Sequence, residues 1–137
     1  MPNVNLLAVL VSGIISMFIG ALWYSPLLFG KQWIKLMGFD EKELEKAKAK
    51  GMGKSYFTAF IATLFTAYVI ALFVSYANAT TFTQGLTIGF WAWIGFIVPV
   101  LLNSVLWENK PQKLYAINIA NYLVVFLLIG GILAVWS

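Results

Sequence analysis

Four apolar runs, each long enough to cross a lipid bilayer as a helix, govern what this chain can become. A helical span takes about 20 residues. The runs cover approximately residues 4–24, 56–77, 84–106 and 114–136. Charged residues make up only 10% of the chain, against about 25% in a soluble domain. A surface that poor in charge cannot face water. The expected fold is therefore all-α: an integral membrane four-helix bundle, one domain over residues 1–137. The first run has no basic residue before it and exceeds the apolar core of about 7–15 residues of a cleavable signal. It reads as a retained span.

The charges that exist are clustered. Eleven of the fourteen fall between Lys31 and Lys54, and the rest are Glu108, Lys110 and Lys113. Seven lysines lie between the first two runs and two between the last two; the ends and the middle connection have none. Lysine-bearing loops stay on the cytoplasmic side, so both termini are expected outside. A net charge of +4 is thereby explained by topology, and nucleic acid is not an expected partner.

Within the longest loop, Asp40 and Glu43 have the spacing of a capping box and open an expected short cytoplasmic helix over residues 40–50, stopped by Gly51. Lys42, Lys46 and Lys50 recur every fourth residue and share one face. Together with Lys31 and Lys35 they are candidates for contact with anionic lipid headgroups. The segment 29–39 reads as an amphipathic stretch lying in the membrane plane.

The apolar runs carry their own punctuation. Ala8, Ser12, Ser16 and Gly20 form a small-residue stripe on the first, and Ala59, Thr63, Ala67, Ala71 and Ser75 form one on the second. Such stripes let helix backbones approach in lipid, so these two spans are expected to pair. Pro26 ends or kinks the first span at Ser25. Pro99 breaks the hydrogen-bond ladder in the middle of the third. Trp91 and Trp93 lie deeper than a headgroup belt requires, which predicts packing against other spans.

The chemistry-bearing residues form one candidate cluster on the cytoplasmic half: Asn103, Glu108, Tyr115, Asn118, Asn121 and Tyr122, with Ser25 nearby. Polar groups inside a membrane are costly and mark ligand or ion paths, or they join helices by hydrogen bonds worth about 0.6–2 kcal/mol. Both readings stand at this stage. One is a non-enzymatic packing or partner-binding module, with a homo-oligomer as one outcome. The other is a small transporter or channel whose site is this cluster. The absence of acids from the spans, Glu108 at the edge excepted, counts against proton-coupled export.

An enzyme is not expected. Histidine and cysteine are absent and Asp40 is the only aspartate, which removes the commonest general base and the usual metal ligands. The stretch Gly51-Met52-Gly53-Lys54-Ser55 is superficially like a phosphate loop, but its glycines are too close and no strand precedes it. No cofactor or metal site is predicted.

Two patterns carry a resemblance. Gly20-x-x-Trp23-Tyr24-Ser25-Pro26-x-x-Phe29-Gly30-x-x-Trp33, followed by Pro99-x-x-x-Asn103 and Glu108-x-x-Pro111, resembles the bacterial family DUF1761 over nearly the whole chain. The resemblance implies four spans and a bacterial inner membrane. It implies no activity and supplies no catalytic residues.

Overall fold

The computed structural model describes residues 4–38, 42–43, 45–46, 51 and 53–136. These residues form an all-helical structure without strands. In order, α1 is Leu6–Trp23, α2 Gly30–Met37, α3 Gly53–Tyr76, α4 Phe82–Phe96, α5 Val98–Leu101, α6 Asn103–Leu106 and α7 Gln112–Val135. Four segments are long and apolar enough to cross a membrane: α1, α3, the α4–α6 series and α7. They match the four expected runs to within three residues at each end, and are spans one to four below. Both chain ends and the turn after span two lie at one end of the bundle. The lysine-bearing connections lie at the other.

Each span starts or stops where its local chemistry dictates. Asn5 caps α1: its side-chain oxygen accepts from the amides of Leu7 at 3.1 Å and Ala8 at 3.2 Å, replacing helical partners those amides lack. The same side chain donates to the Trp136 carbonyl at 3.3 Å and ties the two ends of the chain together. Thr81 and Gln84 cap α4 reciprocally in a capping box. Span three is broken, as Pro99 requires: the helix is interrupted at Ile97 and again at Leu102.

Span four is the hub. It packs against spans one, two and three and against α2, whereas spans one and three each lean on it rather than on one another. It is also the most buried, with 44% of its apolar window inside the protein against 17–28% for the others. A helix that is apolar all round belongs at the centre.

The expected pairing of spans one and two is present, but it is not the closest contact. Ala8, Ser12 and Ser16 are buried against a core that includes Ala67 and Ala71, while Gly20 and Thr63 are half-buried and Ala59 is exposed. Spans three and four approach more closely. A methyl group on Gly85 would overlap the Gly130 carbonyl, and one on Gly89 would overlap the Phe126 carbonyl. Backbone-to-backbone contact at that range admits only glycine.

The α2 segment exposes Lys31, Gln32 and Lys35 and half-buries Trp33, Ile34, Leu36 and Met37, the two-sided pattern of a helix lying in a membrane interface. Gly38 ends it in the left-handed conformation at φ 77°. Of the helix expected over residues 40–50, Lys42, Glu43, Glu45 and Lys46 are helical and exposed. Asp40 and Lys50 lie outside the described residues.

Candidate functional site: the lysine-bearing end

The sequence pattern from Gly20 to Trp33 folds into a compact knot at the end of span one. Pro26 cannot continue α1. The chain turns, and the Phe29 amide donates to the Trp23 carbonyl at 3.0 Å while the Gly30 amide donates to the Ser25 carbonyl at 2.9 Å. A side chain at position 30 would collide with the Ser25 backbone, its carbonyl oxygen lying only 2.7 Å from where the Cβ would sit. The Ser25 hydroxyl donates back to the Leu22 carbonyl at 2.6 Å and closes the last turn. Phe29 stacks against Trp23 with ring centres 4.9 Å apart, and Trp33 meets Tyr24 edge-on at 5.7 Å.

The knot presents two donors to span four. The Trp23 indole N–H donates to the Ile117 carbonyl at 3.0 Å, and the Tyr24 hydroxyl donates to the Asn118 side-chain oxygen at 2.7 Å. From span three, the Trp93 indole N–H donates to the Ile119 carbonyl at 2.7 Å. Three consecutive residues of span four, Ile117 to Ile119, are thus clamped by aromatic side chains from two other spans. Helix carbonyls keep a second lone pair after forming their own ladder bond, so they can accept these indoles.

Tyr115 of span four returns the favour: its hydroxyl donates to the Val98 carbonyl at 2.6 Å, within the interrupted part of span three. The backbone that Pro99 disturbs is therefore supported from the neighbouring helix, as broken spans require.

The expected cluster is brought together only in part. Asn118 and Tyr115 are engaged as described. Asn121 is buried, and its side-chain oxygen has no hydrogen-bond partner. Asn103 does not meet these two amides: it is exposed and donates to the Val100 carbonyl of its own segment at 3.0 Å. Its amide is spent on a local bond, three residues back along its own span. Glu108 is exposed. Ser25 is spent on its own helix end. Tyr122 lies further into the span, 38% exposed, its ring edge-on to Phe126 at 6.5 Å. Lys31, Lys35, Lys42 and Lys46 are all exposed.

Trp23, Tyr24 and Trp93 are the residues that the expected cluster left out. The first two look like interfacial anchors and the third like core packing. Their donor atoms are what matter here, and the signal for two of them was the Trp-Tyr-Ser-Pro motif itself.

Two clefts lie elsewhere. One of about 280 Å³ opens at the termini end between Asn5, Ser75, Asn78, Thr80 and Trp136, over a floor that includes Val74 and Leu133. The other, about 230 Å³, lies between spans two, three and four, beside Thr63, Thr66, Ile97 and Tyr122. Both threonine hydroxyls there donate to carbonyls of their own helix, at 2.8 Å and 3.2 Å. Among the described residues no group of three or more acidic side chains is placed to hold a metal ion.

No match to the chain was found among curated proteins or among solved structures. A family model does match, over residues 7–134, described as a protein of unknown function. That range takes in the aromatic knot, the proline break and the whole of the clamp on span four; this chain belongs to the DUF1761 family.

Proposed function

We propose that the protein is a non-enzymatic membrane module whose folded unit exists to pack with a partner, seated in a bacterial inner membrane with both termini outside. The observation that carries this reading is the use made of the intramembrane polar groups. At the lysine-bearing end, Trp23, Tyr24, Trp93, Tyr115 and Asn118 are all consumed in joining one span to another. A solute site would need such groups turned into a cavity. The exposed lysines of α2 and of residues 42 and 46 suit contact with anionic headgroups on the cytoplasmic face.

A second reading has one observation in its favour. Ile97, at the break in span three, borders the cleft that holds the exposed Tyr122, and broken spans flank the sites of small transporters.

Asn118→Leu, with Asn103→Leu and Asn121→Leu alongside, separates the two readings. In the packing reading Asn118→Leu lowers the amount of assembled protein recovered from membranes, and wild-type proteoliposomes carry no solute flux for it to abolish. A flux present in the wild type and lost in a normally assembled Asn118→Leu protein would overturn the packing reading.

A further inference from the structure

We propose that α2 binds anionic lipid headgroups through Lys31 and Lys35, and that this contact holds closed the joint between spans one and four. This rests on the reading above, which puts the lysines among headgroups, and adds the joint that feels them. The depth of α2 is fixed by bonds. The Phe29 amide is bonded to the Trp23 carbonyl and the Gly30 amide to the Ser25 carbonyl, so the start of α2 cannot leave the last turn of span one. Span one is long and apolar enough to cross a membrane. Its end, and α2 with it, therefore lies where hydrocarbon gives way to headgroups. In the turn between them Leu27 and Leu28 are 84% and 46% exposed, apolar side chains suited to the acyl side of that boundary.

Lys31 and Lys35 stand four residues apart on one face of α2, and both are exposed. Neither has a carboxylate partner among the described residues, so their charge is not neutralised within the protein. Lysine stems lie along apolar surface and keep the ammonium in the polar layer, which at this depth is headgroup phosphate. Two unpaired positive charges select headgroups of net negative charge over neutral ones. Each lysine close to an anionic surface adds about fivefold to the binding constant.

What α2 touches gives the contact its consequence. Trp33 of α2 meets the Tyr24 ring edge-on at 5.7 Å, and Tyr24 donates to Asn118 of span four. Phe29, at the head of α2, stacks on Trp23, which donates to the Ile117 carbonyl. The α2 segment also packs directly against span four. A ligand that binds only the seated α2 stabilises every contact that depends on its being seated. Lys42 and Lys46 are equally exposed, but they follow Gly38, where α2 ends.

The test is hydrogen exchange at the amides of residues 24–33, several of which are bonded within the knot and exchange when it opens. The full chain is placed in vesicles of phosphatidylcholine and in vesicles of equal parts phosphatidylcholine and phosphatidylglycerol. Residues 77–81, at the lysine-free end, correct for the acidity of the charged surface. After that correction the charged bilayer is expected to slow exchange of the 24–33 segment by about tenfold or more. Lys31→Gln with Lys35→Gln abolishes the slowing. Lys42→Gln with Lys46→Gln removes the same charge and keeps it. Unchanged exchange within span two shows that each variant is folded. Equal exchange in the two bilayers would overturn the inference, and so would equal loss of the slowing in the two lysine pairs, which would assign it to charge spread over the whole lysine-bearing end. Slowing by inorganic phosphate added to phosphatidylcholine vesicles would make a free anion the ligand and overturn it too. Slowing seen only in native membranes would do the same in favour of an acidic protein. None of these outcomes touches the packing reading, which stands or falls on Asn118→Leu and solute flux.

Discussion

The Tyr24 hydroxyl, at the end of the first span, reaches the Asn118 side-chain oxygen of the last span at 2.7 Å. Ninety-four positions of sequence separate the two residues, so this bond closes the bundle. Removing the hydroxyl in Tyr24→Phe is expected to cost about 0.5–1.5 kcal/mol. Asn118→Leu should cost a similar amount, and the double variant should cost less than the sum. Thermal unfolding in detergent over the four proteins of the cycle measures the coupling; strict additivity would show that the bond contributes nothing.

Glycine at 85 and 89 answers a different need. Alanine at either position should destabilise the pair of spans three and four by about 1–3 kcal/mol, the usual cost of overpacking. Alanine at Gly95 meets no neighbour within 4 Å and should leave the stability of the isolated monomer unchanged. Side-by-side melting of the three detergent-solubilised variants checks this; a loss at position 95 equal to that at 85 would contradict the geometry.

Ser12 is completely buried, and its hydroxyl has no hydrogen-bond partner. Ser16, one turn on, donates to the Ser12 carbonyl at 2.8 Å. An unpartnered buried hydroxyl has lost its water and gained nothing. Ser12→Ala should therefore be neutral or stabilising by up to about 1 kcal/mol. A marked fall in melting temperature for Ser12→Ala would show that the hydroxyl has a partner after all.

The distribution of lysines makes a prediction about sidedness. Single cysteines placed at Lys42 and Asn78, in a chain that has none of its own, should label with a membrane-impermeant thiol reagent in opposite ways. Intact cells should protect position 42 and expose position 78, as expected for basic loops retained inside. Labelling of position 42 in intact cells would reverse the orientation.

The spans were plain in the sequence because lipid imposes one requirement on every residue at once, and runs such as Leu123–Val135 meet it without interruption. The break at Pro99 was equally legible, since a missing N–H has a local effect. Which spans press closest was not. Small-residue stripes occur on spans one and two, yet Gly85 and Gly130 make the nearer contact. Each glycine reveals that only when the facing carbonyl is known. The amide cluster was half legible: Asn118 stands where a joint is needed, but its partner is a tyrosine phenol from the far end of the chain. Asn103 stays apart from the other two amides because its own amide bonds back to the Val100 carbonyl of its own span, a local choice that residue spacing does not reveal.

Span four follows the other three in the chain, and each of them packs against it. While the ribosome is still working, Trp23, Tyr24 and Trp93 hold out hydrogen atoms to a helix that does not yet exist. A nascent chain halted before residue 112 would hold three spans whose Trp23, Tyr24 and Trp93 donors have no acceptor on span four. The first three spans cannot lock together until the fourth is in place.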